Sequence, residues 1–245
     1  MDAAFSGAYS LTRSARASNP TVDDSTKSSY FIIQAGENDG DDRLAMINET
    51  IRYYDENAES FIGGTLDADI SQIARRFVER LPEGASILDW GCGSGRDSLA
   101  FLKAGFDVTA VDLSKEMAAA TERLTGLQVR NESFEDLSDV DEYDGIWACS
   151  SLLHVGKEDL PIVLTAARRA LKNGGCAYVS FKYGDYEGMR NGRYFTDLTE
   201  ETLVGILEDG TGLRVDESWI TGDVRPGREN ERWLNAILVK ESVVD

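Results

Sequence analysis

The spacing of apolar residues changes period several times along this chain, and each change marks an element. Leu44, Ile47, Ile51 and Tyr54 recur at helical spacing and predict a helix ending near Glu59. A second helix is predicted from about Asp67 to Arg80, with Ile70, Ile73, Phe77 and Leu81 on one face and Pro82-Glu83-Gly84 as its stop. Short apolar runs at Ser86–Trp90, Asp107–Val111, Leu127–Arg130, Tyr143–Ser150 and Cys176–Phe181 read as strands. Helices separate them: one from Asp97 stopped by Gly105, one from the N-cap Ser114 to about Leu124, and one from Glu158 to Leu171. The last has Leu160, Val163, Leu164, Ala167 and Leu171 facing inward, and Lys172-Asn173-Gly174-Gly175 follows it. A long glycine-spaced loop is predicted from Lys182 to Phe195, then a helix from Asp197 to about Glu208. Leu213–Ile220 and Trp233–Lys240 form the last two strands, and the link between them is too short for a crossover helix, so they pair as an antiparallel hairpin. Alternating strands and helices predict an α/β, doubly wound sheet of about seven strands with an antiparallel last strand.

Ahead of this pattern, residues 1–29 are rich in Ser, Ala and Thr and lack periodicity. Tyr30–Gln34 is a short apolar patch, and Gly36–Asp42 is an acidic linker. The reading is a disordered tail and linker over 1–43 and a folded domain over 44–245. A transit peptide is the alternative for the start, where Arg13 and Arg16 face a single acid before Pro20.

The first strand runs into Gly91-Cys92-Gly93-Ser94-Gly95-Arg96 and then directly into a helix. Strand, glycine turn and helix open a nucleotide-binding βαβ unit, in which backbone approaches ligand and the helix N-terminus faces it. A dinucleotide fingerprint would place its third glycine where Arg96 stands, and no Gly-Lys-Ser/Thr follows for a P-loop. The second strand ends on Asp112, 21 residues after Gly91, where an acid can accept from ribose hydroxyls.

Leu88-Asp89-x-Gly91-Cys92-Gly93-x-Gly95, followed by Val111-Asp112-Leu113-Ser114, resembles the class I S-adenosylmethionine (SAM) dependent methyltransferases. Gly95-Arg96-Asp97-Ser98 is similar to the tellurite-resistance methyltransferase group and its small-molecule relatives. The resemblance implies a Rossmann-like sheet with a reversed final strand, SAM as cofactor and S-adenosylhomocysteine (SAH) as product. It implies that Asp89 orients the glycine loop or the methionine amino group. Gly91, Cys92, Gly93, Gly95 and Leu113 then line the cofactor, and Asp112 holds the ribose. Ser133 and Phe134 stand at the adenine, with Ser133 where the family carries an acid; Glu132 or Glu135 is the substitute. Arg96 either faces a carboxylate of cofactor or substrate, or pairs with an acid such as Glu56. Tyr53-Tyr54-Asp55 resembles a helix that lids the pocket, with Tyr54 either against the cofactor or only packing.

Ligands in such sheets bind at the carboxyl ends of the strands, which places Cys149, Ser150 and His154 at the mouth. His154 is a general base, a substrate ligand or a structural histidine in a helical turn. Lys182, Arg190 and Arg193 cluster in the predicted loop as an anion or substrate clamp, or as a solvated surface. The catalytic candidates are therefore His154, Lys182 and Arg193. Arg225, Arg228 and Trp233 join them only if the last hairpin folds toward the site.

Charge narrows the acceptor. With 44 acids against 25 bases the formal net charge is −19, which opposes nucleic acid and anionic membrane. No apolar run approaches a membrane span of roughly 18–20 residues. Three cysteines without a C-x-x-C spacing fit a reducing, cytoplasmic setting, and one histidine leaves no metal cluster to expect. Methyl transfer from a sulfonium needs orientation more than acid–base chemistry, which accords with a strong cofactor signature and a weak catalytic one. The expected acceptor is a small molecule, an anion among the candidates. A protein or RNA methyltransferase and a SAM-binding module without turnover are the alternatives.

Overall fold

The computed structural model describes residues 37–241, with side chains from Arg43 onward. The tail expected over 1–29 and the apolar patch Tyr30–Gln34 lie outside the described residues. Six strands form one sheet in the order β2-β1-β3-β4-β8-β7. β1 (Ser86–Trp90), β2 (Asp107–Val111), β3 (Tyr143–Ala148) and β4 (Leu171–Lys182) run parallel; β8 (Arg232–Lys240) lies antiparallel to both β4 and β7 (Leu213–Gly222). This is the doubly wound α/β sheet with a reversed final hairpin.

Alternate side chains on each strand enter different layers, as the two-residue period requires. Ile146 and Ala148 of β3, Val179 and Phe181 of β4 and Leu234 and Leu238 of β8 pack in the layer under α5 (Leu160–Ala170) and α6 (Glu200–Glu208). Trp147, Tyr178 and Ile237 point the other way, onto Phe77 of α2 (Ser71–Val78) and Phe101 of α3 (Arg96–Lys103). Trp147 and Tyr178 stack with ring centroids 4.1 Å apart. Both faces are covered, so the central strands carry unbroken apolar runs.

β4 begins at Leu171 rather than Cys176, taking in the expected helix stop Lys172–Gly175, and three further segments differ in kind from the sequence reading. Leu127–Arg130 is not a strand: Val129 N donates to Glu122 Oε1 at 3.1 Å, and the only sheet contact is the bridge from Arg130 to Val111. The sheet therefore has six strands rather than seven. Lys182–Phe195 is no open loop but contains a hairpin, β5 (Glu187–Arg190) with β6 (Arg193–Thr196). Its turn is Asn191-Gly192, both with positive φ (53° and 76°), the conformation of a two-residue hairpin turn. Finally, α1 spans Glu37–Thr65, beginning inside the expected linker and running past Glu59. It crosses the carboxyl ends of the strands, contacting β6 and α4 (Lys115–Thr125).

Candidate active site

The turn after β1 is tied to the end of β2: Gly91 N and Cys92 N both donate to Val111 O, at 2.8 and 2.9 Å. Gly91 has φ +84°, and a Cβ there would lie 2.4 Å from Ser151 Cβ. At Gly95, in the left-handed region at the N-cap of α3, a Cβ would meet Thr121 Oγ1 at 2.8 Å. Packing alone thus demands two of the three glycines. Gly93 is different, because a Cβ added there meets nothing within 4 Å. Its open side belongs to a cavity of about 1560 Å³ at the carboxyl ends of the strands.

Asp112 adjoins Gly93 in the same wall. Its Oδ2 accepts from Gly93 N at 2.8 Å and its Oδ1 from Ser114 N at 2.9 Å. Burial pushes its carboxyl up to about 6 against the opposing pull of those two N–H groups. Each oxygen retains a second lone pair, so a ribose diol fits. Asn131 Nδ2 fixes the loop by donating to Asp112 O and Leu113 O, both at 2.8 Å. Cys92 lines the same wall as a buried thiol, its Sγ 3.5 Å from Thr121 Oγ1, and burial raises its pKa.

Asp89 lies beneath the turn rather than in the cavity wall, accepting from Ser98 Oγ at 2.5 Å. Burial, then the neighbouring Asp97, pushes its carboxyl up to about 8. Arg96 pairs with Asp97 and not with Glu56: Nε donates to Oδ1 at 2.6 Å and Nη2 to Oδ2 at 3.0 Å, while Nη1 reaches Thr65 O at 3.2 Å. Asp97 also accepts from Trp147 Nε1 at 2.9 Å. The guanidinium thus ties α3 to the end of α1, although it still lines the cavity.

Ser133, Phe134, Glu132 and Glu135 all line one end of the cavity. Ser133 is spent on a cap, its Oγ donating to Asp136 Oδ2 at 2.7 Å, and Phe134 meets Trp90 edge-on at 5.2 Å. Each substitute acid already holds an arginine: Glu132 with Arg130 at 2.6 Å, Glu135 with Arg43 at 2.8 Å.

At the other end stands His154. Its Nδ1 lies 2.6 Å from Tyr194 O, an acceptor only, so the ring proton belongs on Nδ1. Nε2 then accepts from the Tyr54 hydroxyl at 2.8 Å. Burial lowers His154 to about 4, and Arg193 adds to the shift. The ring is neutral with both nitrogens engaged.

The expected three-cation clamp divides. Lys182 is paired with Glu231 and lies over the Trp233 ring, and Arg190 is paired with Asp197 at 2.7 Å. Arg193 is held by rings instead, its Cζ 4.4 Å from Tyr53, 5.1 Å from Phe195 and 5.7 Å from Tyr54. Among the described residues its only hydrogen bond is a long one, Nη1 to the Tyr54 oxygen at 3.5 Å, and its buried Nε has no partner there. The last hairpin does fold toward the site: Arg225, Arg228 and Trp233 line the cavity, with Arg225 Nε on Asp223 Oδ1 at 2.9 Å and Arg228 on Glu231 at 3.3 Å.

Cys149 and Ser150 close the β3 end. Burial, then Asp97, pushes the Cys149 thiol up to about 12. Ser150 is held at φ +56° by a bond from its N–H to Ser180 Oγ at 2.8 Å, a strained conformation for a residue with a Cβ. Sequence reasoning missed the residues that dock α1. Asp55 Oδ1 accepts from Ser114 Oγ at 2.6 Å, and Thr50 Oγ1 accepts from Tyr194 N at 2.9 Å. Among the described residues no group of three or more His, Cys, Asp or Glu side chains is arranged to hold a metal. No described helix is long and apolar enough to cross a membrane.

Strand order, reversed hairpin and glycine turn define the class I methyltransferase fold, and comparisons agree. Residues 87–175 match the family model described as methyltransferase domain. Ubiquinone biosynthesis O-methyltransferase of Xanthomonas oryzae pv. oryzae (strain PXO99A) is 35% identical over 105 residues, covering 40% of this chain and 43% of that protein. The matched region is thus less than half of that relative's length. Among solved structures, Burkholderia thailandensis 1,6-didemethyltoxoflavin-N1-methyltransferase, with 1,6-didemethyltoxoflavin and SAH bound, superposes with TM-score 0.66 at 21% identity over 85% of this chain and 92% of that one. A TehB-like SAM-dependent methyltransferase from Corynebacterium glutamicum gives TM-score 0.55 at 23% identity over 81% and 99%. The fold is the one that these solved methyltransferases share.

Proposed function

We propose that this protein transfers the methyl group of SAM to a small molecule. One observation carries the reading: the open face of Gly93 and the carboxylate of Asp112 share a single cavity of about 1560 Å³. Ligand sites typically occupy roughly 300–1,000 Å³, so that space fits a cofactor with a second small molecule beside it. Gly91, Cys92, Gly93 and Leu113 would line the cofactor, Asp112 would take its ribose, and Phe134 would flank its base. Bound there, SAM supplies an already activated methyl group. The chain's part is to orient the acceptor and exclude water, and α1 is placed to do both.

His154 serves this reading as a positioning residue. Its neutral ring holds the Tyr54 hydroxyl in place, and Tyr54 in turn stands beside Arg193. Asp89 supports the turn through Ser98, the first of its two expected roles. The net charge of −19 and the pairing of most cavity cations with acids favour a small acceptor over nucleic acid. Gly95-Arg96-Asp97-Ser98 supports placing the chain near the tellurite-resistance-like small-molecule group. Three unpaired cysteines support a reducing, cytoplasmic setting.

The test is SAH release from SAM with cell extract split into small-molecule and macromolecular fractions. Release confined to the small fraction is the expected result. Release only with macromolecules, abolished by nuclease or protease, would replace the small acceptor with a large one.

A further inference from the structure

Seven cations line the cavity, and six of them already have an acid. Arg43 pairs with Glu135 and Asp159, Arg96 with Asp97, Lys157 with Glu187, Lys182 with Glu231, Arg225 with Asp223 and Arg228 with Glu231. Arg193 is the exception among the described residues. In a chain carrying 44 acids, a guanidinium enclosed by aromatic rings without one is a costly arrangement.

The unused edge is specific. A guanidinium offers five N–H donors, and Arg193 commits one, on Nη1, to the Tyr54 oxygen. Nε is buried, and among the described residues neither it nor Nη2 has a hydrogen-bond partner. Nε–H and the adjacent Nη2–H are parallel donors lying in the guanidinium plane along one edge, the spacing that two carboxylate oxygens match. Tyr53, Tyr54 and Phe195 hold that plane by cation–π contact, and Nε lies buried among them, where a charge-assisted bond is strengthened. Two of the three rings come from α1, so the edge is completed only when α1 is docked.

We propose that the Nε–Nη2 edge of Arg193 is a carboxylate-binding fork, and that the acceptor is a small molecule whose carboxylate it holds while α1 closes over it. This rests on the methyltransferase reading for the word acceptor, but the fork itself does not. A planar carboxylate with one negative charge matches one cation and one free edge, whereas a phosphate dianion would be left under-compensated. The fork is carried by β6 rather than by the glycine turn, which assigns it to the acceptor and not to the carboxylate of SAM.

Calorimetry on the whole protein decides this with three ligands. Benzoate and its neutral counterpart benzamide are titrated with and without saturating SAH, and SAH is titrated separately. Wild type is compared with Arg193→Lys, which keeps the charge but loses the planar edge, and with Arg193→Gln. The expected result is that wild type prefers benzoate over benzamide, that both variants lose benzoate affinity by roughly 10–100-fold, and that SAH affinity stays within about twofold. Unchanged SAH binding also shows that the variants are folded. Equal or absent binding of benzoate and benzamide to wild type, or benzoate binding that survives in both variants, overturns the fork. SAH affinity that falls along with benzoate affinity assigns the edge to the cofactor's carboxylate and overturns the acceptor. A wild type that fails to bind SAH would instead remove the methyltransferase reading, and the benzoate arm without SAH would still decide the fork.

Discussion

The Tyr54 hydroxyl donates to Nε2 of His154 at 2.8 Å, joining α1 to the turn after β3 across one hundred residues of sequence. This bond fixes what each partner does. With Nδ1–H given to Tyr194 O at 2.6 Å, His154 has no nitrogen left for a substrate proton, and its ring secures α1 over one end of the cavity. The same helix is held beside the glycine turn, where Asp55 accepts from Ser114, whose own N–H donates to Asp112. One helix thus touches both halves of the cavity.

Replacing His154 by Ala strands the Tyr54 hydroxyl and the Tyr194 carbonyl. The expected loss of stability is about 2 kcal/mol by denaturant titration. In wild type, kcat at saturating SAM should show no inflection from His154 between about pH 5 and 8, because burial holds the imidazole near 4 and neutral throughout that range. An inflection there that vanishes in the variant would restore His154 as the base.

Asp112 gives a pH dependence of defined sign. Its carboxyl titrates near 6 in the folded protein, above its ordinary range, so it is charged at pH 8 and protonated well below 6. Protonation removes acceptor capacity for the ribose hydroxyls. SAH affinity should therefore fall as pH drops through about 6, and the fall should be absent in Asp112→Asn. A wild-type affinity that is flat from pH 8 to 5 would place the ribose elsewhere.

The glycines separate folding from binding. Gly91→Ala drives a Cβ to 2.4 Å from Ser151 Cβ and should cost about 3 kcal/mol or more of stability. Gly93→Ala adds a methyl to open space and costs only its left-handed strain, roughly 1–2 kcal/mol, yet SAH binding should suffer. Thermal melting and SAH titration of both variants measure the contrast.

Asp55→Ala should leave the sheet intact and loosen α1. Hydrogen exchange should rise across residues 44–65 while β1, β3 and β4 keep their protection. Faster exchange throughout would mean that α1 belongs to the core and is not a separate cover.

Much of this was legible in the sequence because it depends on local pattern. β1 and β2 were read with their observed bounds, and Ser114 does cap α4 by accepting from Met117 N at 3.2 Å. Runs such as Tyr143–Ala148, buried on both faces, advertise a central strand. Leu127–Arg130 was misread because its apolar residues pack on Cys92 and Ala110 without making a ladder, and period alone does not distinguish the two. The β5–β6 hairpin carries a strong turn signal in Asn191-Gly192, but Gly184, Gly188 and Gly192 space the segment like a loop and its strands are only four residues each. In the site, the turn and Asp112 were readable from spacing. Which cations keep a free edge was not, because Glu231, Asp197 and Asp223 neutralise Lys182, Arg190 and Arg225 through contacts that only the fold creates.

If the Gly93–Asp112 wall holds the cofactor, titrating SAH into wild type and Asp112→Ala at pH 8 shows it. Wild type should bind and the variant should bind more weakly by about 1–3 kcal/mol, the cost of stranded charge-assisted hydrogen bonds. Equal affinity in the two proteins, or no binding to wild type, would contradict it.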